Sequence, residues 1–150
     1  MADRLDIEVT GFELLSVIDR AASELENPLK LMQLIGATME SNIAQRFVSK
    51  TDPAGHAWLP LAPSTLKKKK GVGSILEMSG IGKKSITSNA VADSVEIGFT
   101  ETYMGYHETG TRFMPRRQML SDDFVAGTLG KQDQADILED IEAFLRGLGL

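Results

Sequence analysis

The side chains best suited to chemistry lie in the third quarter of the chain. His107 and Glu108 are adjacent, and Tyr103 lies one helical turn before them. A histidine beside a carboxylate and a phenol can relay protons, so a small His-dependent hydrolase is one function to weigh. The pattern lacks the rest of such a site. His56 is the only other histidine, and no HExxH run exists to hold zinc. No GxSxG elbow supplies a serine nucleophile. A hydrogen-bonding residue at the end of a short helix is the simpler role for His107. Gly71, Gly73, Gly80 and Gly82 are a second candidate group, but in KKKKGVG the lysines precede the glycines and no GK[ST] follows. Asp122 and Asp123 beside Phe124 read better as an acidic helix start than as a metal site. No catalytic group, metal or cofactor is therefore expected.

Two other groups point to binding. Lys67, Lys68, Lys69 and Lys70 form an unbroken basic run that can contact phosphates or an acidic partner. Aromatic residues are not interleaved with these lysines, so no platform for stacking single-stranded bases is evident. Arg116 and Arg117 follow Met114-Pro115, and arginine is a frequent anchor at interfaces. Upstream, Trp58, Leu59 and Leu61 share the segment from Asp52 to Lys70 with three prolines and the lysine run. Apolar anchors ringed by charge suit a loop that orders against a partner. The competing reading makes Trp58 a plug in the domain's own core.

Composition narrows the classes. A chain of 150 residues fits a single domain over 1–150 with a sizeable core. There is no cysteine, which removes disulfides and thiolate metal sites. No apolar run is long enough to span a bilayer, and the N-terminus does not read as a secretory signal. The chain is expected to avoid membranes and to remain in the cytoplasm where it is made. A net charge of −5 argues against a general DNA-binding role, although an accessory DNA-binding protein stays among the alternatives. The charge is uneven. Lysines crowd the middle, while Asp122, Asp123, Asp133, Asp136, Glu139, Asp140 and Glu142 make the C-terminal part acidic. Such polarity lets copies attract one another head to tail.

The elements that would position these groups follow from hydrophobic period. Leu5, Ile7 and Val9 alternate as in a short strand. Leu14, Val17, Ile18, Ala21 and Leu25 keep helical spacing from Phe12 onward. Met32, Ile35, Met39, Ile43 and Phe47 predict a long helix from Pro28 to Val48, with Glu40, Asn42, Gln45 and Arg46 largely off its apolar face. A Pro- and Gly-rich arm follows at about 50–84, to be ordered by a partner. Lys84–Ser88 and Val91–Phe99 predict a hairpin turning near Asn89, with Val91, Asp93, Val95, Ile97 and Phe99 on one face. Tyr103 to Glu108 predicts a short helix ended by Gly110, with extended chain near Pro115. A last helix runs from about Gln132 to Leu145, with Ile137, Leu138, Ile141, Phe144, Leu145 and Leu148 as its stripe. The fold class is α+β: a small antiparallel sheet packed by the long helix and the C-terminal helix, with a long extended arm.

The residues also follow a family order. The long helix ends in Arg46-Phe47, followed by Asp52-Pro53-Ala54-Gly55, Trp58-Leu59-Pro60-Leu61 and Ser64-Thr65-Leu66 with its lysines. Ile75-Leu76, Gly80-Ile81, Ser85-Ile86 and Val95-Glu96-Ile97-Gly98 come next, then Tyr103, His107, Gly110 and Pro115-Arg116-Arg117. Taken together, DPxGxxWxPL, STLxxK and YxxxHxxG…PxR resemble the phage virion morphogenesis family, the tail-completion proteins of Mu-like and related tailed phages, over roughly Pro28 to Leu145. The chain departs from the family where Arg116-Arg117-Gln118-Met119-Leu120 replaces a PxRPF-like run, and where Tyr106 replaces an aliphatic residue before the histidine.

The resemblance implies a structural virion protein rather than an enzyme. It would be assembled in the host bacterial cytoplasm and placed at the neck, in tail completion or termination and head–tail joining. Its partners would be further copies in a hexameric ring around the DNA channel, a tail tube or tail-end protein, and head-side connector proteins. Non-specific contact with packaged DNA is a further expectation. On this reading Trp58, Leu59, Leu61, Arg116 and Arg117 meet a neighbour, and Lys67 to Lys70 face DNA or an acidic partner.

Overall fold

A computed structural model describes residues 18, 20, 23, 25, 27–60, 84–92, 94–101, 103–121 and 128–147. The long helix, α1, spans Leu29–Ser49, one residue displaced at each end from its sequence reading. Its entry is set by Asn27, whose Oδ1 accepts from the Leu29 amide at 3.3 Å, and by Pro28, whose carbonyl takes the Met32 amide at 3.0 Å. Proline loses nothing here, because amides at a helix start have no partner within the helix. Leu31, Met32, Ile35, Met39, Ile43 and Phe47 are buried at steps of one, three and four residues, as one packed face of a 3.6-residue period requires. The helix stops at Lys50, which takes the left-handed conformation at φ 56° and returns its amide to the Arg46 carbonyl.

Against this face lies a two-stranded antiparallel sheet, β1 (Ile86–Val91) and β2 (Ser94–Phe99). Ile86 pairs with Phe99, Ser88 with Ile97 and Ala90 with Val95. These positions face inward, since strand side chains alternate between faces. The helix approaches closely at Gly36, where an added Cβ would sit 2.9 Å from Ser88 Oγ and 3.1 Å from Val95 Cγ2. Pairing continues to Val91 and Ser94, so the reversal falls after Val91 and not near Asn89, which pairs with Glu96. Val91 belongs to the first strand and is exposed. It does not share the face of Val95, Ile97 and Phe99. Asp93 lies outside the described residues.

Two helices complete the architecture. The short α2 spans Tyr103–Thr109, and α3 spans Lys131–Gly147. On α3, Ile137 and Ile141 are buried, Phe144 and Leu145 are half-buried, and Leu138 faces outward. Leu148 lies outside the described residues. Ile18, Arg20 and Ser23 are helical, and Ile18 and Leu25 pack on the core. The strand expected around Leu5 to Val9 lies outside the described residues. An α+β fold with a small antiparallel sheet, a long helix and a C-terminal helix is therefore the observed class.

Candidate functional site

The arm begins as built structure. Asp52 Oδ1 accepts from the amides of Ala54 and His56, both at 2.9 Å, and Thr51 bridges Ala57. This tight turn sends the chain back along α1, where the Trp58 amide reaches the Lys50 carbonyl at 2.8 Å. Trp58 is only 6% exposed. Its ring meets Phe47 edge-on, with centroids 5.8 Å apart, and its Nε1–H donates to the Gln118 carbonyl at 2.9 Å. An indole needs both an apolar seat and a hydrogen-bond acceptor, and its own subunit supplies both. The structure thus corrects the docking expectation for Trp58, which is the plug of its own core.

Arg117 is corrected in the same way. Its Nε donates to the Leu59 carbonyl and its Nη2 to the Pro60 carbonyl, each at 3.0 Å. The guanidinium therefore ties the root of the arm to the segment after α2. Arg116 differs: its Nε holds the Glu108 carbonyl at 3.0 Å, yet the residue stays exposed. Leu59 is exposed as well. Leu61 and Lys67, Lys68, Lys69 and Lys70 lie outside the described residues.

Beneath this junction is Glu108, which is fully buried. One carboxylate oxygen accepts from the amides of Met119 at 2.6 Å and Leu120 at 3.0 Å. The other accepts from the Ser121 amide and hydroxyl, both at 3.1 Å. Burial pushes the Glu108 carboxyl up from its ordinary range, while the four donors pull it back. Consecutive amides turned toward one carboxylate form a closed anion cradle. Glu108→Gln puts amide hydrogens against some of these donors, and is expected to cost about 1–3 kcal/mol. A thermal melt lowered by several degrees would bear this out, whereas an unchanged midpoint would contradict it.

The cradle also decides what His107 can do. Glu108 is occupied by the backbone of 119–121, so His107 and Glu108 do not come together as an acid–base pair. His107 contributes its carbonyl, which accepts the Arg117 amide at 2.7 Å. Its buried Nδ1 has no hydrogen-bond partner. Burial, aided by the nearby Arg117 charge, holds its pKa below the ordinary value.

A second buried polar group joins α1 to α3. Arg46 forms an ion pair with the fully buried Asp133 and donates from Nη1 to the Met119 carbonyl. Asn42 Nδ2 reaches Asp133 at 3.0 Å and Asp136 at 2.9 Å, and Thr38 donates to Asp140. Sequence reading placed Arg46 largely off the apolar face and missed this pair. A signal was present. Arg46 follows Ile43 by three residues and Asp133 precedes Ile137 by four, so each charge sits on an otherwise apolar stripe. The finding also narrows the acidic surface that α3 can offer to neighbours. Asp133, Asp136 and Asp140 turn toward α1, while Glu139 and Glu142 stay exposed.

A cleft of about 670 Å³ opens beside this pair, between the end of α1, the turn at 51–56 and the start of α3. Asp133 Oδ2, buried near it, has no hydrogen-bond partner. Most lining groups already serve the fold: Asp52 holds its own turn, Arg46 pairs with Asp133, and Asn42 bridges the two helices. His56, 81% exposed at its side chain, lies 3.5 Å from Asp52 Oδ2. No cluster of His, Cys, Asp and Glu able to hold a metal occurs among the described residues. None of their helices is long and apolar enough to cross a membrane.

The geometry thus directs these polar groups inward, to fasten three separated segments. Residues 9–146 match the model of the phage virion morphogenesis family. The chain is similar to "Mu-like prophage FluMu G protein 2" of Haemophilus influenzae, at 29% identity over 143 residues, covering 95% of this chain and 96% of that protein. No solved structure matches significantly. With the family match spanning nearly the whole chain, the protein belongs to the phage virion morphogenesis family.

Proposed function

We propose that this chain is a structural component of the neck of a tailed phage or prophage, acting in tail completion or termination and in joining the tail to the head. It works without catalysis, as a ring of copies around the DNA channel. The observation that carries this reading is the family match over 9–146. The fold is compatible with it. The Glu108 carboxylate, weighed for acid–base chemistry, holds backbone instead, and the arm leaves the core from a root clamped by Trp58 and Arg117. A segment anchored so firmly at its base can order on a partner without loosening the domain that carries it.

The partners are further copies of the chain, a tail-end protein on one side and a head-side connector on the other. Lys67 to Lys70, repeated around a ring, would concentrate positive charge against packaged DNA or an acidic neighbour. The test is removal of the gene from its phage or prophage, followed by electron microscopy of the lysate. Filled heads separated from tails of normal length are expected for tail completion. Overlong tails would assign the termination step instead. Intact infectious particles in the absence of the protein would overturn the proposal. Supplying a variant with all four lysines changed to glutamine should then restore joining poorly, in a salt-dependent way.

A further inference from the structure

Among the described residues, Phe113 is the most exposed large apolar side chain, at 87%. Its exposure does not follow from a loose loop. Thr111 and Met114 exchange backbone hydrogen bonds of 3.1 and 3.3 Å across a tight turn, and the Thr111 hydroxyl accepts the Phe113 amide at 3.2 Å. The entry is fixed by Gly110 at φ 74°, where an added Cβ would meet the Arg116 amide at 3.1 Å. The exit is fixed by Arg116 on the Glu108 carbonyl and by the Arg117 amide on the His107 carbonyl. The turn therefore holds a phenyl ring out in water on a rigid base. The Arg112 guanidinium lies over that ring, 5.5 Å from its centroid. With Arg116 also exposed, the turn is an apolar knob flanked by two positive charges.

A surface of opposite character occurs elsewhere on the chain. The outward face of α3 exposes Leu138 together with Ala135, Glu139 and Glu142. Residues three and four apart are neighbours on a helix, so Leu138 is an apolar spot beside Ala135 and Glu142, with Glu139 about 100° round the helix from it. These carboxylates differ from Asp133, Asp136 and Asp140, which α1 occupies. We propose that the Arg112–Phe113–Arg116 knob of one copy docks on the Leu138–Glu139–Glu142 face of α3 in the next copy. Phe113 would lie against Leu138, and the two arginines would reach the two glutamates. The two patches differ, so the contact is heterologous, and repetition builds a closed ring or a filament rather than a two-fold dimer. The proposal rests on the ring reading and names the surfaces that would build it.

The chain has no cysteine, which permits a direct test. The full-length chain is made with Phe113→Cys alone, Leu138→Cys alone, and both together. Each variant is oxidised mildly and run without reductant, both as purified protein and as particles from complemented phage. A ladder of covalent oligomers from the double variant only is expected. A dimer from Phe113→Cys alone would overturn the contact in favour of a two-fold one. No ladder in either preparation, while light scattering shows that the wild type assembles, would overturn the contact and leave the ring reading standing. No ladder from a wild type that is monomeric in solution and absent from particles would overturn both. A second check, independent of cysteine chemistry, comes from charge. Arg112→Glu with Arg116→Glu should weaken self-association at least about tenfold. Mixing that variant with Glu139→Arg, Glu142→Arg chains should restore association, and failure of the mixture to associate would also count against the contact.

Discussion

Trp58→Ala is expected to destabilise the folded chain itself, by about 3–5 kcal/mol. The indole lies against Phe47 within the core and gives its only N–H to the Gln118 carbonyl. Truncation removes the largest side chain at the meeting of α1, the arm root and the 118–121 segment, and takes the indole donor away from that carbonyl. A domain of this size has a net stability on the order of 5–15 kcal/mol, so the variant should be close to unfolding at 37 °C. Trp58→Phe keeps a ring against Phe47 but loses the hydrogen bond and part of the buried ring volume, and should cost less than Trp58→Ala, about 1–3 kcal/mol. Urea unfolding followed by far-UV circular dichroism measures both. The outcome that would sink this account is a Trp58→Ala protein with a wild-type midpoint that nevertheless fails to assemble, because the indole would then act between subunits.

Asp133→Ala should be comparably severe. The substitution leaves the Arg46 guanidinium buried without its carboxylate, and removing one partner from a buried pair costs about 3–5 kcal/mol. Asn42 loses one of its two acceptors at the same time. Much of that cost is the penalty of an unpaired buried charge rather than the worth of the pair. The double variant Arg46→Met, Asp133→Leu should therefore recover a substantial part of the loss. Trp58, the only tryptophan, packs on Phe47 one residue from Arg46, so its fluorescence reports this junction during urea unfolding. A single variant within about 1 kcal/mol of wild type, or a double variant worse than the single by the full additive amount, would contradict the account.

Both sites show why local reading succeeds in some places and fails in others. The long helix was legible because its apolar positions repeat at the helical period over more than about four turns, and Asn27-Pro28 and Lys50-Thr51 punctuate its ends. The last helix was legible for the same reason, apart from Leu138, which faces solvent. The hairpin was found but misplaced at its turn. Asn89 is a common turn residue, and the sequence carries no Asn-Gly pair to outweigh it. Register along β1 is set by which residues meet α1 at Gly36, and that contact is not local.

The candidate site divides along the same line. Leu59 and Arg116 are exposed, but Trp58 and Arg117 turn inward. From sequence, an aromatic anchor in a Pro-rich arm has the same signature whether its seat is on another subunit or on its own. From sequence Glu108 is an acid–base candidate and Asp133 part of an acidic surface, and neither reading buries it, because carboxylates are almost never fully buried unless paired. Their partners, the amides of 119–121 and the guanidinium of Arg46, lie 11 or more residues away in one case and 87 in the other.

By itself the sequence determined the class of fold, the main helices, the lack of cysteine chemistry and the family order of motifs. These are properties of composition and of local period, which a chain carries without being folded. Only the tertiary structure decided which charges are spent inside and which remain for partners. A buried charge is tolerated only where folding brings its counter-charge or donors to it, and no spacing along the chain states where those will be.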